Sequence, residues 1–205
     1  MINMKILAIG DLHGTAIKVP EEVDCVFIVG DFTNADSTKF VEQILDSIKC
    51  DVLAIPGNMD RKEVLDILES RGVSVHRKTV EYKGFKVFGF GGSSITPFNT
   101  PFEFDDEQIE EMIKGYEADI ALFHDTPHGF FDWIGGKSVG SMAIRKWIET
   151  SKPKLVFCAH IHEHKGVAKF NDTLIVKVPP AYKKEGILVE LQDLNNIIVR
   201  FINIE

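Results

Sequence analysis

Three cysteines in 205 residues are too few and too scattered to form a disulfide framework. Cys25, Cys50 and Cys158 are odd in number and lie in apolar contexts, which predicts buried free thiols in a cytoplasmic protein. Basic residues are outnumbered, 23 Lys and Arg against 31 Asp and Glu, for a formal charge of −8. Phosphate backbones and anionic membranes need a basic face, so general nucleic-acid or membrane binding is not expected. A small phosphorylated substrate stays open, because bound metal ions supply positive charge locally. No apolar run reaches membrane-spanning length, and the first residues lack the long apolar region of a signal peptide. Low-complexity tracts, Ser/Gly-rich spacers and solenoid-period repeats are also missing. Residues 1–205 therefore read as a single domain, with 44% apolar content for one sizeable core.

What is present starts at Ile9-Gly10-Asp11-Leu12-His13-Gly14. The apolar run Met4 to Ile9 before it is short and unbroken, as a strand buried on both faces should be. Asp11 and His13 stand two positions apart, so in extended chain they share a face, and a carboxylate with an imidazole suits a divalent transition metal. The pattern recurs. Asp24 to Val29 runs into Gly30-Asp31, Asp51 to Ile55 into Pro56-Gly57-Asn58-Met59-Asp60, Asp119 to Phe123 into His124, and Lys154 to Cys158 into His160-Ile161-His162. Between these runs, Phe40, Val41, Ile44, Leu45 and Ile48 form a helical stripe. Val64, Leu65, Ile67 and Leu68 form another, with Gly72 at the expected cap. Alternating strands and helices predict parallel βαβ units.

Tyr82-Lys83-Gly84-Phe85 reads as a hairpin turn. The long irregular segment from Gly91 to Phe102 is expected to be an ordered loop at the rim of a site, because Phe98, Phe102 and Phe104 would be costly to expose. Asp105-Asp106-Glu107 marks a helix start, with that helix ending near Lys114, and a further helix is expected from Met142 to Ser151. Alternating strands follow: Gly166 to Phe170, Thr173 to Val178, Gly186 to Leu191 and Ile197 to Ile204. Early βα units and a β-rich later half predict an α/β fold of two mixed sheets packed face to face, with helices outside. Edge strands in the later half offer a route to a homo-oligomer.

Side chains leaving the carboxyl ends of such strands converge on one crevice. Asp11, His13, Asp31, Asn58, His124, His160 and His162 are more ligands than one ion takes from protein. Two ions about 3.5–4 Å apart sharing a carboxylate would use them. Four of the seven histidines fall at these positions. As an ordered set, Asp11-Leu12-His13, Gly30-Asp31, Gly57-Asn58, His124 and His160-Ile161-His162 resemble the motifs of the calcineurin-like metallophosphoesterases, over nearly the whole chain. Gly91-Gly92-Ser93, the Thr96 to Pro101 loop and Glu163 resemble a small prokaryotic branch related to cyclic-nucleotide phosphodiesterases.

The resemblance implies a four-layer α/β/β/α sandwich in which Asp11, His13, Asp31 and His162 hold one metal. Asp31, Asn58, His124 and His160 hold the second, with Asp31 bridging. It implies hydrolysis of a small phosphodiester or phosphomonoester, the diester favoured, by in-line attack of a hydroxide bridging two divalent ions. Mn, Fe, Ni, Co and Zn all suit the ligands, with Mn preferred. Two other functions fit such a fold. One is a protein-binding scaffold like the family's retromer member, which lacks ligands; the other is a nuclease, which the acidic chain disfavours.

Where many relatives carry a leaving-group acid after the Asn, this chain has Met59. His128 is the replacement expected to join Asp31 and Asn58 in catalysis. Arg61, Phe98 and Asn99 are the expected substrate contacts. Asp60 is expected to cap the following helix, Glu163 and His164 to support the ligand histidines, and His76 to lie on a surface strand. Ala159, where Gly is usual, requires a negative φ.

Overall fold

Apolar strands without alternation need cover on both faces, and the fold supplies it with four layers. The computed structural model describes residues 4–205. In chain order, the first part comprises β1 (Met4–Ile9), β2 (Cys25–Val29), α1 (Lys39–Ser47), β3 (Asp51–Ile55) and α2 (Lys62–Ser70). Next come β4 (Lys78–Tyr82), β5 (Phe85–Phe90), the two-residue strands β6 (Ser93–Ser94) and β7 (Glu103–Phe104), α3 (Asp106–Ile113) and β8 (Ile120–Phe123). A small hairpin of β9 (Trp133–Ile134) and β10 (Lys137–Ser138) precedes α4 (Met142–Ser151) and β11 (Leu155–Cys158). The chain closes with β12 (Gly166–Phe170), β13 (Thr173–Lys177), a 3₁₀ turn at Ala181–Lys183, β14 (Glu185–Asp193) and β15 (Asn196–Asn203).

One sheet has the order β15-β14-β1-β2-β3 and the other β12-β13-β11-β8-β5-β4. Within the first, β1, β2 and β3 are parallel, and β14 and β15 add antiparallel at the β1 side. Within the second, β5, β8, β11 and β13 are parallel, flanked by antiparallel β4 and β12. Each sheet thus mixes early and late strands. Three connections depart from simple βαβ units. The passage from β1 to β2 carries no helix, parallel β11 and β13 are joined through β12 alone, and α2 leads out of the first sheet to β4 and β5 of the second.

Between the sheets lies the central core, where Ile6, Ala8, Phe27, Val29, Ile187 and Val189 of one meet Val87, Ile120, Leu122, Phe157 and Val176 of the other. Phe27 and Phe157 meet edge-on with ring centroids 5.7 Å apart. The outer face of the first sheet packs Leu7, Ile9, Val26 and Ile28 against Val41, Ile44 and Leu45 of α1 and Val64 and Leu68 of α2. The outer face of the second packs Phe88, Ala121, Phe123 and Val156 against Ile109 and Ile113 of α3 and Ile144, Trp147 and Ile148 of α4. The expected α/β/β/α sandwich is the fold found.

The expected turn between β4 and β5 is a hairpin with Lys83 and Gly84 both at positive φ, as a two-residue type I′ turn needs. Asp105 starts α3 with a full capping box to Gln108. Cys25 and Cys158 are buried, but Cys50 is only half-buried, because it ends α1's connection at the sheet margin. No helix among the described residues is long and apolar enough to cross a membrane.

Candidate metal centre

The parallel strands of both sheets deliver their following residues to one end of the sandwich. There the loop after β1 runs beside the loop after β2: Asp11 N–H donates to the Gly30 carbonyl at 3.0 Å, His13 N–H to Asp31 at 3.0 Å and Gly14 N–H to Phe32 at 2.9 Å. Asp11, His13, Asp31 and His160 all take left-handed φ, at 50°, 47°, 54° and 71°. That conformation costs a non-glycine residue roughly 1–2 kcal/mol, so its recurrence at four of seven expected ligands marks backbone held for a purpose. The left-handed turn near Ala159 falls one residue later, on His160, which is why alanine is tolerated there.

Two glycines make the approach possible. A Cβ on Gly30 would lie 2.4 Å from His124 Nδ1, and one on Gly57 would lie 2.0 Å from Asp31 Oδ1. Only hydrogen fits at either position.

Six expected ligands converge. Ligand atoms of Asp11, His13 and His162 lie within 4.8 Å of one another, and so do those of Asp11, Asp31 and His124. His162 Nε2 is 3.4 Å from Asp11 Oδ1. The two oxygens of Asp31 face opposite ways, Oδ2 at 3.7 Å from His13 Nε2 and Oδ1 at 3.5 Å from His124 Nε2. Asn58 Oδ1 sits 2.9 Å from His124 Nε2. The seventh, His160, stands beside His124 with ring centroids 5.2 Å apart, outside both sets of converging atoms.

The protonation states fit a cation. Burial, opposed by the charge of Asp11, lowers the His13 pKa, and burial pushes His124 down to about 3. His160 is lowered by the same cause. These imidazoles are therefore neutral, the form that ligates. The His124 ring spends its one proton on Nδ1, which lies 2.8 Å from the Val29 carbonyl, leaving a lone pair on Nε2. That lone pair faces Asn58 Oδ1, another acceptor, and two acceptors at hydrogen-bond distance need something positive between them. Asp11 Oδ1 and both ring nitrogens of His13 are buried without a hydrogen-bond partner. Burial, then the charges of Asp60 and Asp11, raises Asp31 well above the usual carboxylate range. Burial also works to raise Asp11, but His162, His124 and Lys177 together pull it lower. Orphaned acceptors and crowded carboxylates are what divalent ions satisfy, so the residues fit the metals they were expected to hold.

Three expectations are corrected. Asp60 does not cap α2, whose N-terminus at Arg61 has no side-chain cap. Its fully buried carboxylate accepts from Phe32 N–H at 3.1 Å, Thr33 N–H at 2.9 Å and Gly57 N–H at 2.8 Å, and from the Thr33 hydroxyl at 3.1 Å. It thereby ties the Asp31 turn to the Asn58 turn. Burial, moderated by those bonds, places its pKa at about 6, so it is ionised at neutral pH. His76 is not a surface residue: it is 7% exposed, accepts from Gly91 N–H at 2.9 Å and packs between Phe90 and Phe102. His164 turns away from the ligands to the Trp133 carbonyl at 2.7 Å.

The remaining expected residues lie on the segments that follow β3, β5, β8 and β11. His128 Nδ1 stands 3.6 Å from Asp132 and 3.4 Å from the Ser138 hydroxyl, on the loop after β8. Arg61 is exposed at the start of α2, and Glu163 is exposed beside His162. Contrary to the expectation that the loop after β5 covers its phenylalanines, Phe98 is 80% exposed, with Asn99 beside it at the tip, whereas Phe102 packs inward against Phe104. Two neighbours had no sequence signal. Tyr182 places its hydroxyl 3.2 Å from His162 Nδ1. Lys177, fully buried, donates to Thr126 Oγ1 at 3.0 Å and to the Ala159 carbonyl, supporting the peptide that leads to His160.

Known proteins resemble this chain in sequence and in fold. The chain is 34% identical over 215 residues to the uncharacterized protein MJ1162 of Methanocaldococcus jannaschii, covering 94% of this chain and 97% of that one. The crystal structure of TT1561 of Thermus thermophilus superposes with a TM-score of 0.72 at 18% identity, covering 100% of both chains. Vacuolar Protein Sorting 29 from Cryptosporidium parvum gives 0.50 at 15% identity, over 99% of this chain and 100% of that one. The profile described as Calcineurin-like phosphoesterase matches residues 4–164, and with the ligand cluster at the strand ends this shows that the chain belongs to that family.

Proposed function

We propose that this protein is a dinuclear-metal-dependent phosphoesterase acting on a small phosphodiester. The observation that carries the reading is the pair of converging ligand sets, Asp11, His13 and His162 in one and Asp11, Asp31 and His124 in the other, with Asp31 Oδ2 near His13 and Oδ1 near His124. Two bound divalent ions, with Mn preferred, would neutralise phosphate charge and lower the pKa of a bound water.

The chain's own residues prepare the site for that chemistry. Asp11, His13, His162 and Asp31 Oδ2 would hold one ion; Asp31 Oδ1, Asn58, His124 and, with a shift of its ring, His160 would hold the other. The Met59 N–H donates to Asp31 Oδ1 at 2.8 Å and the Val29 carbonyl fixes the His124 ring, so both groups are oriented before an ion arrives.

Met59 has no proton to give a departing alkoxide, so esters with good leaving groups should turn over far faster than alkyl esters. Equal rates would contradict this and point to His128, which Asp132 and Ser138 hold in place, as the acid. Arg61, Phe98 and Asn99 at the rim remain the proposed substrate contacts. The direct test is hydrolysis of an aryl phosphodiester beside an aryl phosphomonoester after metal reconstitution. Turnover of the diester lost in Asp31→Ala supports the reading, and full turnover by a folded Asp31→Ala protein overturns it.

A further inference from the structure

An asparagine amide has an oxygen and a nitrogen of nearly the same size, and only the oxygen ligates a cation well. With neutral His124 offering a lone pair on Nε2, the relaxed choice for Asn58 in the metal-free protein is to turn its NH₂ toward that nitrogen. Such a flip would bond the two ligands to each other and remove both from the second ion. Something must prevent it, and the loop after β5 supplies it.

That loop leaves β5, runs to its exposed tip at Phe98 and returns to β7, where Ser93 pairs with Glu103 and Ser94 with Phe104. On its way back it meets Asn58 twice. Phe102 N–H donates to the Asn58 main-chain carbonyl at 3.1 Å, and Asn58 Nδ2 lies 2.8 Å from Thr100 Oγ1. Thr100 Oγ1 also contacts Glu103 Oε1, which further accepts from Thr100 N–H at 2.9 Å and from the Thr96 hydroxyl at 2.5 Å.

The directions of these bonds are forced. A carboxylate is acceptor-only, so the single hydroxyl proton of Thr100 goes to Glu103. Thr100 then has only lone pairs to offer, and its neighbour must be a donor. Asn58 therefore has to present Nδ2 to Thr100 and Oδ1 to the side where His124 Nε2 waits at 2.9 Å.

We propose that Glu103 and Thr100 are positioning residues for the metal centre, a two-link relay that locks the Asn58 amide oxygen toward the second ion before it binds. The inference rests on the dinuclear reading above and adds that the irregular loop serves ligand orientation as well as the rim. It also accounts for the hydrogen bonds that join Thr96, Thr100 and Glu103 on that loop.

The test is calorimetric titration of the metal-free full chain with Mn²⁺, for wild type, Thr100→Val, Thr100→Ser and Glu103→Gln. Wild type should take up two ions. Thr100→Val keeps the shape but removes the acceptor, and should weaken the second ion by about 10–100-fold while the first, held by Asp11, His13 and His162, is unchanged. Thr100→Ser should restore wild-type binding. Glu103→Gln is nearly isosteric, but its NH₂ can donate to Thr100 and free that hydroxyl to donate to Asn58 Oδ1, so it should also weaken only the second ion. Urea melts of the metal-free variants verify that each is folded. Wild-type affinity for both ions in folded Thr100→Val and Glu103→Gln would overturn the relay. Uptake of a single ion by wild type would instead overturn the dinuclear reading on which the relay rests.

Discussion

Asp60→Ala is the substitution whose cost follows most directly from the structure. The carboxylate is fully buried and is the acceptor for three main-chain N–H groups, those of Phe32, Thr33 and Gly57, besides the Thr33 hydroxyl. Truncation leaves three buried donors unpaired at ~1–3 kcal/mol each. A water entering the vacated space would satisfy part of this, and relief of the repulsion between Asp60 and Asp31 works in the same direction. The net destabilisation expected is about 4 kcal/mol, a fall in Tm of roughly 8–16 °C for a chain of this length. Asp60→Asn keeps one acceptor oxygen but turns a donor toward a donor, and should cost about half as much. Urea unfolding of metal-free protein is the proper assay, because bound ions would add their own stabilisation. An Asp60→Ala protein within about 1 kcal/mol of wild type would show that this carboxylate does not clamp the two ligand turns together.

Gly57→Ala would push a Cβ to 2.0 Å from Asp31 Oδ1 and 2.2 Å from its nitrogen, so it should lower Tm and abolish metal uptake together; wild-type values for both would contradict the close approach. Burial holds His76 down at about 4, against 6.5 in the unfolded chain, so only the unfolded chain takes up this proton between those values. The stability from this group is complete above pH 6.5 and is lost as pH falls toward 4, up to about 3 kcal/mol. His76→Gln should therefore lose less stability than wild type between about pH 7 and pH 5, and parallel curves would contradict the assignment. Met59→His should raise turnover of alkyl esters more than of aryl esters, and equal gains would show that no leaving-group acid was missing.

The convergence of six of the seven expected ligands was legible because the seven follow five apolar strands, a pattern that needs no knowledge of tertiary contacts. The layers were legible for a related reason: strands without alternation demand cover on both sides. What stayed hidden depends on partners far away in sequence. Asp60 looks like a helix cap from its neighbours alone, yet its partners Phe32 and Thr33 are 28 and 27 residues away. Thr100 and Asn58 are 42 residues apart, and Tyr182 reaches His162 across 20. His76 reads as a polar strand residue until Gly91 and Phe102 close over it. The left-handed backbone at Asp11, His13, Asp31 and His160 has no local signature beyond the residue types that tolerate it.

The claim on which everything else depends is that two ions sit on either side of Asp31. Anomalous diffraction from crystals grown with Mn²⁺ tests it without reference to any substrate. Two peaks per chain are expected, one among Asp11, His13 and His162 and the other between Asn58 and His124, with an oxygen of Asp31 on each. A single peak at saturating metal, or two peaks that leave Asp31 unligated, would contradict it.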